Sequence, residues 1–359
     1  MSNPLRIATF NAQNLFDRAA IFDIRDGVEN QKLLNDLAEL QSQLEQEVYN
    51  KQKILSLFKS LEEYIEIAED KGTLFERDRN SGEIVGVRAK GASSWDGRIV
   101  FKRAKFSEET RSNTAKVINE IAADVQCLVE IENRLILKEF SEQFLASRFE
   151  YSMAIDGNDK RGIDVGLLSR FPIGNIRTHI FDKDSRGEPL FDRDCLEVEV
   201  LLPGDRKLTI LCNHLKSKRN DSAPRRQEQA NRVSEIVSNF DLSQDLVVVA
   251  GDLNDTPTSS TLAKLLNTEN LYDVLEIWFP DTADRWTHAF GNQLDQIDYL
   301  LVSQPLREAL TKASVERRGI FNLSRLTNGR EQSFPTVTNP STAASDHAAV
   351  WAEFDLDMV

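Results

Sequence analysis

The run Leu246-Val247-Val248-Val249-Ala250-Gly251-Asp252-Leu253-Asn254-Asp255 joins five apolar residues directly to a polar cluster. The apolar part, Leu246–Ala250, reads as a strand. The polar part, continuing into Thr256-Pro257, reads by itself either as a loop with a helix cap or as the rim of a site. The same transition recurs along the chain. Asn11 follows the strand-like Leu5–Phe10, Glu130 closes Val125–Glu130, and Asn213-His214 closes the run begun at Leu208. Ser345-Asp346-His347 precedes Ala348–Phe354, and Asp298 lies at the start of Ile297–Val302. Strand ends are where an α/β scaffold presents its chemistry.

Two further strand-like runs, Ile163–Leu168 and Leu196–Leu202, complete the set, the latter joined to Leu208–Asn213 by the turn Pro203-Gly204-Asp205. Helical spacing of apolar residues is found over Thr110–Ala123 and Arg225–Asn239, with a shorter candidate at Thr258–Leu266. Strands outnumber helices and several neighbours are hairpins. The pattern predicts an α/β fold with mixed sheets packed face to face and helices outside, rather than a doubly wound parallel sheet.

One stretch stands apart. From Val28 to Lys71 the chain has no Gly or Pro, and apolar residues recur at Leu33, Leu37, Leu40, Leu44, Val48, Leu55, Phe58 and Ile65. This spacing predicts one long amphipathic helix, or two broken near Tyr49-Asn50. Two strand-like pieces follow, Glu83–Ala89 and Arg98–Lys102, around a Gly-bounded loop carrying Trp95. Residues 23–105 therefore read as a largely helical insertion within a single catalytic domain spanning 1–359. Its stripe packs on its own domain in the first reading; a partner helix or an oligomer contact is the alternative.

The 359 residues carry 44 Lys and Arg against 58 Asp and Glu, a net charge of −14. Such a field opposes indiscriminate coating of nucleic acid but leaves room for a local basic patch. No apolar run approaches the ~18 residues that span a bilayer, so integral membrane association is not expected. The N-terminus lacks the pattern of a secretory signal, and the three cysteines, Cys127, Cys195 and Cys212, sit in apolar runs as structural thiols. Both features predict a cytoplasmic protein.

Taken singly, Asn11, His214, Asp252 and Asp298 each have ordinary structural readings. Glu130 is harder to dismiss, because a carboxylate in an apolar run needs a partner or a metal. Taken together, carboxylates, imidazoles and amides at strand ends suit phosphodiester hydrolysis. Mg²⁺ takes hard oxygen ligands and keeps waters that substrate displaces. Glu130 is the natural primary ligand and Asn11 supplies an amide oxygen. Zinc fits less well, since no Cys/His cluster has the required spacing.

Six motifs in order, FN-x-x-N (10–14), LVEIEN (128–133), NHLKSK (213–218), GDLNDTP (251–257), LDQIDYLLVS (294–303) and SDHAAVW (345–351), resemble the endonuclease/exonuclease/phosphatase superfamily. The resemblance covers residues 1–22 and about 106–359. It implies a four-layer α/β sandwich of two packed mixed sheets with outer helices. It further implies that Glu130 is the metal carboxylate beside Asn11, and Asp346 an additional metal-site aspartate. Asp252 then orients or deprotonates the attacking water, and Asn254 contacts phosphate. His347 corresponds to the essential histidine at the scissile phosphate, Asp298 to the group that holds its tautomer, and His214 to a second phosphoryl donor. The cofactor implied is Mg²⁺, with Mn²⁺ as a substitute. Two positions depart from the pattern: Val129 stands where Gln is frequent, and Gln13 stands where the abasic-site nucleases carry Asp. The second argues against a repair nuclease.

Around the NHLKSK motif, Lys216, Lys218, Arg219, Arg225 and Arg226 face one acid, Asp221, in residues 216–226. They form a candidate rim for a polyanion, Lys216, Lys218 and Arg219 being the first substrate contacts to consider. The reading that follows is a Mg²⁺-dependent nuclease cleaving DNA or RNA by in-line water attack. The alternatives are a phosphodiesterase or phosphatase of small molecules or lipid headgroups, with the insertion as selectivity cap, and a non-catalytic scaffold.

Overall fold

The apolar runs form two six-stranded mixed sheets in a computed structural model that describes residues 4–15, 27–102, 108–159, 162–218 and 222–358. In the first sheet the order is Leu310–Glu316, Ala349–Phe354, Leu5–Leu15, Val125–Ile131, Asp164–Ser169 and Tyr151–Ala154. In the second it is Leu271–Asp273, Asp298–Ser303, Leu246–Asp252, Arg206–His214, Cys195–Leu202 and Ile173–Arg177. Among the described residues each sheet has one parallel pair, at its centre. These pairs are Leu5–Leu15 with Val125–Ile131, and Arg206–His214 with Leu246–Asp252. Parallel neighbours require a crossover. The helices Glu108–Ile121 and Ala223–Val237 lie on those two crossovers.

Side chains alternate between two cores, which is why the strands read as unbroken apolar runs. Val125, Cys127 and Val129 join Leu208, Ile210, Cys212, Val248 and Ala250 between the sheets. Ala8, Phe10 and Leu128 face outward onto the helices Glu108–Ile121 and Arg134–Phe144. Leu211, Val247 and Val249 do the same toward Ala223–Val237. The layers are thus helix, sheet, sheet, helix. All three cysteines are buried free thiols.

The chain divides into two compact units, Met1–Phe16 with Phe106–Val359, and Asp17–Lys105. The second has its own core of Leu33, Leu37, Leu40, Ile54, Phe58, Leu61 and Phe75 among others. Its helices are Gly27–Leu44 and Lys51–Leu61, and Asn50 caps the second by accepting from Lys53 N at 3.2 Å. The apolar spacing misleads at two places. Val48 falls in the interhelical turn and is exposed, and Ile65 begins a strand, Ile65–Lys71. That strand pairs with Asp96–Phe101, while Ile84–Val87 pairs with Phe75–Arg77, so the two strand-like pieces predicted here have different partners. Trp95 donates its Nε1–H to Tyr49 Oη at 2.6 Å and packs against this unit's core. Among the described residues, no helix is long and apolar enough to cross a membrane.

Candidate active site

The register of the second sheet sets three predicted residues in a row. Asp252 is level with His214 on one side and with Asp298 on the other. Gly251 makes this possible: its φ is +134°, and a Cβ there would stand 1.9 Å from Asn213 O. Only glycine tolerates both conditions. In the first sheet, the pairing of Val125–Ile131 slips on both sides around Glu130, whose φ is +61°. A bulge with a left-handed non-glycine residue is a local strain that re-aims one side chain. Asn254, at φ +55°, is a second such residue.

Asn11 ties the two sheets together. Its Nδ2 donates to Asp252 Oδ2 at 3.1 Å and lies 3.4 Å from His347 Nε2, while its Oδ1 accepts from Gln13 N at 3.0 Å. His347 Nδ1 in turn is 2.9 Å from Asp298 Oδ2. Asp252 Oδ1 accepts from Asn254 N at 2.8 Å and its Oδ2 from Asn254 Nδ2 at 3.2 Å. His214 Nε2 stands 3.6 Å from Asp252 Oδ2 and 3.9 Å from Glu130 Oε1. Asp346 borders the group, its Oδ1 3.9 Å from His347 Nε2. The structure therefore brings Asn11, His214, Asp252, Asn254, Asp298, Asp346 and His347 together, with Glu130 adjoining through His214. Among the described residues, Glu130 belongs to neither close group of His and carboxylate donors, which are His288–Asp346–His347 and Asp252–Asp298–His347.

Burial dominates the electrostatics. It pushes the Asp252 carboxyl up to about 7, with Asp298 adding to the rise and His347 opposing it. It raises Glu130 too, against the pull of His347 and Arg193. Burial alone would lower the His347 imidazolium, but Asp298, Asp252 and Asp346 outweigh it and hold the group at about 10. Asp346 would also be raised by burial, and its partners His288 and His347 reverse that. Buried carboxylates pushed upward, beside an amide oxygen, are a donor set that a hard divalent cation would relieve. Glu130 meets that condition and Asn11 adjoins it, whereas Asp346 is held low by His288 and His347.

The predicted basic rim behaves differently. Lys216 Nζ pairs with Asp192 Oδ2 at 3.1 Å and Lys218 Nζ with Asp255 Oδ1 at 3.2 Å. Arg225 pairs with Asp184 and Arg226 with Asp255, each at 2.8 Å. The charge density that a linear count implies is thus offset by acids distant in sequence. Arg219 lies outside the described residues.

Three neighbours escape a reading of the sequence. Thr287 donates its hydroxyl to Asp298 Oδ2 at 2.7 Å and accepts from the N–H groups of Ile297 and Asp298. Arg193 is buried, donates to Leu215 O at 2.7 Å and faces Glu130 electrostatically. Leu215 O also accepts from Asn254 Nδ2 at 3.0 Å. His288 packs its ring on that of His347, centroids 4.6 Å apart. One signal was available for it: the chain has only four histidines, and three meet here.

A family model described as the Endonuclease/Exonuclease/phosphatase family matches residues 102–347. No curated protein matches the chain. Among solved structures, truncated Caenorhabditis elegans TDP2 is 20% identical over 69% of this chain and 90% of its own, with a TM-score of 0.49. The human nocturnin catalytic domain with bound sulfate is 17% identical over 69% and 86%, at 0.50. D. rerio TDP2 complexed with a single-strand DNA product is 14% identical over 68% and 91%, at 0.50. At these identities the likeness is one of fold.

Proposed function

The chain belongs to the endonuclease/exonuclease/phosphatase family and is a phosphoester hydrolase; from that premise we propose a divalent-cation-dependent phosphodiesterase that cleaves nucleic acid by direct attack of water. The observation that carries this reading is the convergence of a buried carboxylate and a buried imidazolium on one amide, that of Asn11.

In this scheme Asp252 orients the attacking water and receives its proton, a task suited to a carboxyl raised to about 7. Asn254 holds Asp252 through its backbone N–H and its amide. His347, kept protonated and aligned by Asp298, donates from Nε2 to a phosphoryl oxygen, with His214 as a second donor. Glu130 and Asn11 would hold Mg²⁺, with Asp346 at the border. A bound Mg²⁺ offsets negative charge on the phosphoryl oxygens and the leaving oxygen.

The D. rerio TDP2 structure holds a single-strand DNA product, which makes single strands the first polymer to test. A second reading, a diesterase of small molecules, is favoured by the ion pairing of Lys216, Lys218, Arg225 and Arg226. The test is incubation with supercoiled plasmid, circular single-stranded DNA and bis(p-nitrophenyl) phosphate in Mg²⁺, with EDTA and His347→Ala controls. Cleavage of DNA that disappears in both controls supports the nuclease. Turnover of the small diester alone supports the second reading. Inactivity of the folded protein toward all three sinks both.

A further inference from the structure

We propose that Phe290 is a stacking platform for an unpaired base of the substrate, held beside the site by the hairpin that also carries His288. The inference rests on the nuclease reading above and narrows its substrate to single strands.

The hairpin pairs His288–Phe290 with Gln293–Asp295 across the turn Gly291-Asn292, where Gly291 has a φ of +62°. Side chains alternate along a strand. Ala289 and its cross-strand partner Leu294 pack against the core between the sheets. His288 and Phe290 therefore share the opposite face. On that face the His288 ring lies against the ring of His347, centroids 4.6 Å apart. Phe290 follows two residues later, about 7 Å further along the strand, and is 76% exposed. The backbone fixes this arrangement, since His288 and His347 form an antiparallel bridge and Ala289 N donates to Asp346 O at 3.1 Å.

A lone exposed apolar side chain is ordinary on a protein surface. What distinguishes this one is its place, one step outward from the imidazoles at the proposed phosphate site, a spacing comparable with a nucleotide's reach from phosphate to base. An aromatic face there accepts any base, because every base has a π-face. In a duplex those faces are covered by neighbouring pairs, so the platform serves single strands. Charge favours a nucleotide over an apolar partner. Arg325 donates to Asn292 Oδ1 at 3.4 Å, which sets a guanidinium at the turn. Arg317, Arg318 and Arg330 nearby in sequence are matched by acids, whereas among the described residues Arg325 is ion-paired with none. A cation beside an exposed ring suits a chain in which phosphates and bases alternate.

The test uses the full chain in Mg²⁺ and two fluorescent strands of equal length, an oligo-dA single strand and a strand of abasic tetrahydrofuran sites. Phe290→Ala should raise KM for oligo-dA by about fivefold or more and change kcat by less than about twofold. It should leave KM for the abasic strand unchanged. Phe290→Trp should keep the wild-type KM on oligo-dA, since the larger ring still stacks. Thermal melts report that both variants fold, as expected for a side chain outside the core. Cleavage of oligo-dA by wild type and Phe290→Ala at one KM overturns the inference and leaves the nuclease reading standing. An equal rise in KM on both strands also overturns it, because the ring then contacts the sugar–phosphate chain and not a base. Wild type that turns over bis(p-nitrophenyl) phosphate but cleaves neither strand overturns the nuclease reading and this inference with it.

Discussion

His347 Nδ1 lies 2.9 Å from Asp298 Oδ2, and the two side chains are buried together at the ends of different sheets. Nδ1 therefore donates to the carboxylate, and Nε2 is left facing Asn11 and the substrate side. An imidazole held this way keeps one orientation and one charge state through the physiological range.

Replacing that carboxylate should expose its role. Asp298→Asn retains the shape but removes the charge that most raises His347. Turnover should fall by about a hundredfold or more. The imidazolium, held at about 10 in the wild type, should lose its proton at lower pH, so the alkaline limb of the pH–rate profile should move toward neutrality. Wild-type turnover with an unmoved alkaline limb would contradict the orienting role.

Thr287 supports the same carboxylate from behind. Thr287→Val keeps the volume, yet it leaves the buried N–H groups of Ile297 and Asp298 without this acceptor and Asp298 Oδ2 with His347 Nδ1 but without the hydroxyl donor. A stability loss of about 1–3 kcal/mol is expected. Chemical denaturation measures that loss, and it should be accompanied by reduced kcat on any accepted diester.

Gly251→Ala tests the close approach between strands. The added methyl would meet Asn213 O at 1.9 Å, in a backbone region that disfavours L side chains. A loss of about 3 kcal/mol or more is expected. A soluble variant with an unchanged melting temperature would show that the contact is softer than its distance indicates.

Asp164 offers a pH test away from the chemistry. It is buried, accepts from Gly157 N at 2.7 Å, and burial with nearby Asp156, Asp159 and Asp194 pushes it up to about 7. A carboxyl raised in the folded state favours folding while protonated. Its contribution is full below its unfolded value of 3.8 and is lost as pH rises through about 7. Asp164→Asn should therefore raise stability by on the order of 2 kcal/mol at pH 8 and by little at pH 4. Melting curves at the two values decide it.

Much of the site was legible because its residue types sit at strand ends. The runs before Asn11, Glu130, His214 and Asp252 are local signals, and so is Ser345-Asp346-His347 before its strand. Arg193 was not legible. Flanked by Asp192 and Asp194, it reads as a solvated ion pair, whereas it is buried with its guanidinium on Leu215 O. His288 gave no local signal beyond its rarity. In the 17–105 unit, the strands Ile65–Lys71 and Phe75–Arg77, which pair with the two strand-like pieces, were not legible.

Hydrophobic periodicity depends on near neighbours along the chain, so the sequence alone determined which segments become strands and helices. It also determined that the strands supply two cores at once and that oxygen and imidazole donors close several of them. Tertiary structure alone decided which donors meet. The 2.9 Å contact of His347 with Asp298 depends on the register of two strands and on a bridge to a third segment, and a slip of one residue would turn either side chain away. It also decided that Lys216 and Lys218 are matched by Asp192 and Asp255. Charge compensation acts through space, and a count along the chain contains no distances.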